Sequence, residues 1–148
     1  MMEYSYKPRE GIRAAKAQMH DIDASFKDLS QVCRNINGKE ISKAVQLLES
    51  AKLGEVPILY KKFNKKLGHR RELGGRRGRY PKKSARIVLE VLRSAMANAK
   101  NIGLGERLVV RHASANKQNI YPRMASKGRA MRSNYETAKV EIVLEELK

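Results

Sequence analysis

Apolar and polar positions alternate from Ala14 to Asp21. Ala15, Ala17 and Met19 fall on one side, Lys16, Gln18 and His20 on the other. A period of two predicts a half-buried strand. The period then lengthens: Phe26, Leu29, Val32, Cys33 and Ile36 recur at helical spacing. Ser25, with Asp28 three residues on, reads as the N-cap pair of that helix. Asn37-Gly38 reads as its end, because both residues tolerate a left-handed backbone. A second helix is predicted from about Lys39 to Ala51, where Ile41, Ala44, Val45 and Leu48 form one stripe. Gly54-Glu55-Val56-Pro57 reads as the start of a short further helix. The strongest helical pattern runs from about Pro81 to Asn101. Ala85, Val88, Leu89, Leu92, Ala95, Met96 and Ala99 form its stripe, and Ile87, Val91 and Ala97 broaden it. Two strands follow, over Arg107–Lys117 and Tyr135–Leu147. In the last, Val140, Ile142 and Leu144 are expected to point one way and Lys139, Glu141, Val143 and Glu145 the other.

Charge changes this picture in two places. The chain has 148 residues and a formal net charge of +17. Such an excess makes nucleic acid the default partner. From Arg107 to Tyr135 there is no Asp or Glu, while Arg107, Arg111, Lys117, Arg123, Lys127, Arg129 and Arg132 are basic. With strands on both flanks this predicts a long hairpin over about residues 106–147. Arms of about twelve residues at ~3.3 Å each reach roughly 40 Å if fully extended. Such an arm has little with which to build a core, and a lone two-stranded ribbon is marginal in water. It becomes reasonable when a polyphosphate encloses it and each cation displaces counterions. Tyr121-Pro122-Arg123 offers a stacking face, a fixed φ and a phosphate or base-edge donor. Lys127, Arg129 and Arg132 surround Gly128, where the backbone can turn tightly.

The second basic cluster is Leu67–Lys83, within an insertion at about residues 54–83. Arg70, Arg71, Arg76, Arg77, Arg79, Lys82 and Lys83 alternate there with Gly68, Gly74, Gly75 and Gly78, opposed only by Glu72. This reads as a flexible basic loop that follows an irregular surface and orders on a partner. It lacks the spacing of a phosphate-cradling P-loop. Too little sequence follows the insertion to make a second domain, so residues 1–148 are read as one domain.

Other chemistry is sparse. Cys33, His20, His69 and His112 are scattered without metal-ligand spacing, so neither metal nor cofactor is expected. One cysteine forms no intrachain disulfide. No apolar run is long enough to span a bilayer, and no charged-then-apolar signal segment opens the chain, so the cytosol is expected. His112 lies in a strand with Ser114 two positions on, but the sequence shows no acidic orienter beside them. Glu141, Glu145 and Glu146 read as a solvated face or as local partners for Lys and Arg. Met19, Met96 and Met131 read as core filling. Tyr4-Ser-Tyr6-Lys7-Pro8-Arg9 reads as either an RNA-following segment or a fraying terminus.

Three stretches carry a family resemblance. They are Asn37-Gly-Lys-Glu-Ile-Ser-Lys-Ala-Val-Gln-Leu-Leu48, the helix Ala85–Asn101 with its Ser-Ala-Met-Ala-Asn-Ala end, and Tyr121-Pro-Arg123 with Gly128-Arg129 leading into Val140–Leu144. Together they resemble the large-subunit ribosomal protein twenty-two family, in its archaeal and eukaryotic form, over nearly the whole chain. The tip departs from the family: Met124, Ala125, Ser126 and Lys127 make a longer spacer between Arg123 and Gly128. Lys139 also stands where the family commonly has His, Asp or Asn.

The resemblance implies an α+β fold, helices packed on a small antiparallel sheet with a long protruding β-hairpin. It implies a structural constituent of the large subunit, with no catalysis, that binds large-subunit ribosomal RNA and supports assembly. It further implies neighbouring large-subunit ribosomal proteins as partners, and a hairpin tip that lines the exit tunnel where the nascent peptide passes. Within that frame, Arg111, Lys117, Arg123, Lys127, Arg129 and Arg132 are the expected phosphate ligands of the arm. Tyr121 is expected to stack on a base or pack in the tip, and the basic residues of the insertion to anchor it. The rival is an architectural DNA-binding protein, which also uses a basic β-arm with Pro at its tip. An RNA-processing enzyme ranks far behind, since no carboxylate pair or nucleophile–base pair stands out.

Overall fold

The computed structural model describes residues 4–8 and 11–146. The elements in chain order are β1 (Ala14–Ile22), α1 (Phe26–Ile36), α2 (Ile41–Leu53), β2 (Ile58–Leu59), β3 (His69–Arg70), β4 (Arg76–Arg79), α3 (Lys82–Ile102), β5 (Leu108–Tyr121) and β6 (Tyr135–Glu146). Two further segments, Arg71–Leu73 and Ser126–Gly128, are single 3-10 turns. The main sheet is antiparallel with order β1-β6-β5, and a second, smaller one has order β2-β4-β3.

Helices α1 and α3 cover one face of the main sheet, and α2 packs on α3 and β5. The covered face follows from the alternation in the strands. Ile142 of β6 lies between Ala17 of β1 and Ala113 of β5. Val140, Ile142 and Leu144 are fully buried there, with Ala15, Val110 and Ala138. The small flanking alanines let the helices approach, and the stripe Ala85, Val88, Leu92, Ala95 and Ala99 of α3 is itself fully buried. Cys33 is core filling: burial pushes its thiol up to about 12, so it stays protonated and unreactive at neutral pH.

Several expectations need correction. Ser25 precedes α1 but makes no side-chain cap. Asp28 instead accepts a hydrogen bond from the Tyr60 hydroxyl at 2.6 Å. At the other end only Gly38 is left-handed (φ 78°), while Asn37 has φ −60°. Gly54–Pro57 forms no helix. Gly54 is the left-handed cap of α2 at φ 87°, and the chain then enters β2.

The largest correction concerns Leu67–Lys83. It is not a flexible loop: β3, the 3-10 turn and β4 fold back on one another, and β4 pairs with β2. Lys82 and Lys83 belong to the first turn of α3. The insertion is also fastened to α1. The buried Gln31 accepts the backbone N–H of Lys61 (3.0 Å) and Lys62 (3.1 Å), and Asn35 donates to the Leu59 carbonyl at 2.8 Å. Burial, then the bond to Asp28, pushes the Tyr60 phenol up, so it remains a donor. The periodicity could not show this because β3 and β4 are two and four residues long and carry mostly Arg.

Gly78 is the pivot of the small sheet. A Cβ there would sit 2.6 Å from the Ile58 carbonyl oxygen and 2.5 Å from Leu73 Cδ1. Gly78→Ala is therefore expected to destabilise the insertion by about 1–3 kcal/mol, the usual cost of overpacking. Hydrogen exchange checks this: protection should fall over residues 58–79 and hold in β6. Unchanged protection in β2 and β4 would show that the close approach is not needed.

Candidate nucleic-acid interface

Of the two readings of the outer face of β6, a solvated face is overturned, while Glu145 is a local partner of Arg111. Glu141 and Val143 are buried, and Glu145 is nearly so. Residues of the N-terminal segment lie over them. The Ser5 hydroxyl and backbone N–H (3.2 Å) donate to Glu141, and the Tyr6 hydroxyl donates to Glu145 at 2.9 Å. Glu141 also accepts from Ser114 Oγ at 2.9 Å and lies 3.2 Å from His112 Nε2. The acidic neighbour missing from the local sequence thus comes from across the ladder. Tyr6 stacks on the His112 ring at 5.2 Å. Tyr4, Ser5 and Tyr6 are thus held on the sheet and do not fray; Arg9 lies outside the described residues. The cluster is a structural lock: Glu141 is 1% exposed and closed off by its donors.

β1 accompanies β6 as far as the pair Ile22↔Ala138. Beyond it, β5 and β6 continue alone to Tyr121↔Tyr135. The free ribbon is thus about four residues long, roughly 13 Å at the usual strand rise. An antiparallel bridge at Met124↔Ala130 carries the pairing further, so residues 118–137 extend past the edge of β1 and part of the arm projects, as expected. A bulge between Lys117 and Ile120 marks the point of departure. Asp21, left-handed at φ 51°, grips it: its N–H donates to Gln118 Oε1 at 2.9 Å, and its carboxylate accepts from Asn119 Nδ2 at 3.0 Å. Bulges bend and re-aim a strand, so this clamp sets the direction of the arm.

The loop from Pro122 to Asn134 is ordered by its own backbone. Ala125 N–H donates to Arg129 O at 2.7 Å, and Met131 N–H to Arg123 O at 2.9 Å. The longer spacer after Arg123 becomes the 3-10 turn Ser126–Gly128, with Lys127 at φ 61° and Gly128 at φ 71°. Gly128 thus turns as its sequence context predicted, and Lys127 shares the turn.

The predicted cations divide into two groups. Some are held internally. Arg111 lies 3.5 Å from Glu145. Lys117 pairs with Glu136 at 2.7 Å. Arg123 lies over the Tyr135 ring at 6.0 Å, and Tyr121 packs on the same ring at 5.8 Å. In the insertion, Arg70 donates to Gly78 O, Arg76 to Leu73 O and Arg77 to Asn64 O. Lys83 lies 3.4 Å from Asp23, and Lys82 passes over Gly54. The others are outward. Among the described residues, the side chains of Lys127, Arg129 and Arg132 at the tip, and of Arg71 and Arg79 in the insertion, are exposed and make no hydrogen bond or ion pair. The arm also exposes Ile120, Met124 and Met131. Met131 is therefore surface, not core filling, whereas Met19 and Met96 do pack against the core. Sequence reasoning missed these exposed apolar side chains; their spacing among basic residues was the available signal.

The residues thus build a basic α+β protein with a projecting, internally braced hairpin. Comparison with known proteins gives the same result. Residues 17–145 match the family described as Ribosomal protein L22p/L17e. The Large ribosomal subunit protein uL22 of Archaeoglobus fulgidus is 40% identical, over 97% of this chain and 96% of that protein. Those of Staphylothermus marinus (39% identical; 97% and 96% covered) and Methanocaldococcus jannaschii (36%; 90% and 88%) are similar. The chain belongs to the ribosomal L22p/L17e family, in its archaeal form. It is a structural component of the large subunit of the cytoplasmic ribosome and not an enzyme. No helix among the described residues is long and apolar enough to cross a membrane.

Proposed function

We propose that the chain, acting as one unit, binds large-subunit ribosomal RNA, supports subunit assembly and lines the peptide exit tunnel with its hairpin tip. The observation that carries this reading is the state of the tip. Among the described residues, Lys127, Arg129 and Arg132 have no anion of their own, on a two-stranded ribbon that also exposes Ile120, Met124 and Met131. Cations without partners favour phosphate, and exposed apolar groups on a marginal ribbon favour enclosure. Arg71 and Arg79 supply a second basic surface on the insertion. Arg111, Lys117 and Lys83 brace the protein and reach RNA only in addition to their acidic partners. The turn beyond Met124 would face the nascent peptide.

An architectural DNA-binding role fits less well. A wedge needs its Pro at the extreme point, and here the 3-10 turn lies beyond Pro122. Crosslinking in cells from Tyr121, followed by sequencing of attached RNA, tests the proposal. Crosslinks are expected to concentrate in large-subunit ribosomal RNA around the exit tunnel. Crosslinks spread over DNA or unrelated RNA would remove the assignment.

A further inference from the structure

Phe63 is held in a conformation that a bulky side chain rarely adopts. Its φ is 55°, in the left-handed region, and its ring is 45% exposed. Such backbone strain costs stability and gathers where a ligand is gripped. The loop around it is pinned. Gln31 accepts the two preceding N–H groups, of Lys61 and Lys62, and Arg77 donates to the Asn64 carbonyl at 3.2 Å. The Phe63 and Phe26 rings meet edge to face, with centroids 5.8 Å apart and planes at 80°, and Lys27 Nζ lies 5.6 Å from the Phe63 centroid. Phe26 in turn carries Lys117 Nζ at 5.1 Å, which ties this platform to β5 at the root of the arm.

A second observation is the chemistry around the ring. Lys61, Lys62, Lys65 and Lys66 flank it in sequence, and all four are exposed. Beside it lies a cleft of about 540 Å³, which Lys65 and Arg79 line together with Phe63, Asn64 and Asp28. Among the described residues, the side chains of Lys65, Arg79 and Asn64 make no hydrogen bond or ion pair. Asp28 is the one acid among the described residues of the cleft; Tyr60 occupies its Oδ1 at 2.6 Å, which leaves Oδ2 as an acceptor. The cleft thus offers a flat ring, two cations without anions, and an amide and a carboxylate oxygen at the rim. We infer that it holds one unpaired nucleotide of RNA: the base stacks on Phe63, its edge bonds Asn64 and Asp28, and Lys65 and Arg79 take the flanking phosphates. Aromatic rings interleaved with cations bind splayed-out bases in this way. The inference rests on the RNA-binding reading above, which favours RNA over an acidic peptide as the occupant.

The test uses the full chain and full-length large-subunit ribosomal RNA, with binding measured across a salt series. Phe63→Leu keeps an apolar side chain and removes the stacking face. It is expected to lower affinity roughly five- to a hundredfold, the range for one lost base stack. Its salt slope should stay that of the parent, because no charge is lost. Phe63→Tyr should restore binding, whereas Lys65→Ala with Arg79→Ala should weaken it and lower the slope itself. Ultraviolet irradiation of the unaltered complex, followed by mass spectrometry, reads the contact directly: a nucleotide adduct is expected on Phe63. That readout decides the matter where Phe63→Leu fails to fold. When the unaltered chain binds the RNA, a folded Phe63→Leu chain of parental affinity, or no adduct on Phe63, overturns this site alone. A loss of affinity accompanied by a changed slope also overturns it, since the ring then acts only by placing the cations. Parental RNA affinity, beside loss of a protein crosslink from Lys65 in whole subunits, overturns it in favour of an acidic peptide. An unaltered chain that does not bind the RNA overturns the functional reading and this inference with it.

Discussion

Joint reversal of charge at the tip, Arg129→Glu with Arg132→Glu, is expected to exclude the protein from large subunits. Neither side chain has a hydrogen-bond or ion-pair partner among the described residues, so the melting temperature should stay close to that of the parent. The loss falls on the partner. Each phosphate contact removed lowers the salt dependence of RNA binding by about 1 in log–log slope, so removing both contacts gives about 2. Reversal adds repulsion to that loss. Sedimentation of subunits from cells that express a tagged variant is the measurement, beside RNA binding across a salt series. Normal incorporation, or an unchanged slope, would refute the role assigned to the tip. A matching reversal at Arg111 is a poor substitute, because Arg111 also holds Glu145 and Tyr6 to the sheet.

Truncation of Ile142 is expected to be the most damaging single change to the fold. The residue is fully buried at the centre of β6, with Ala17 and Ala113 as its cross-strand neighbours. Neither alanine can extend into the space an Ile142→Ala change leaves, so relaxation is limited. Burial of this kind predicts a cost of about 2–5 kcal/mol. Thermal unfolding of the free protein should show a midpoint lowered by on the order of 10 °C. A loss under about 1 kcal/mol would mean that α1 and α3 close the gap. The consequence reaches the arm, since β6 is the strand that joins β1 and the Asp21 clamp to the hairpin.

The periodic elements were legible in the chain because their energetics are local to one face. A stripe such as Val88, Leu89, Leu92 and Ala95 can only be buried one way, and the observed α3 differs from the expected span by one residue at each end. The same holds for β1, whose end moves by one residue from Asp21 to Ile22. The basic, acid-free stretch around the tip was equally legible, since charge excess is a property of composition.

The insertion and the outer face of the sheet were not legible. Gly78 and Arg70 look like loop residues in a linear reading. They become sheet residues only because α1 supplies Gln31, Asn35 and Asp28 as anchors from far away in sequence. Glu141 looked solvated because alternation on β6 assigns it to the face away from the helices. That face is covered by the N-terminal segment, more than a hundred residues distant.

The chain by itself thus determined the α+β fold class, the family and the location of the basic arm, since these depend on periodicity, residue type and charge. Tertiary structure decided which cations are free. Arg111, Lys117 and Lys83 read the same as Arg129 and Arg132 in sequence, yet only the folded chain brings Glu145, Glu136 and Asp23 within reach of the first three. Coulomb and hydrogen-bond energies depend on distance in space, and long-range distances are fixed only when the sheet and its helices close on one core.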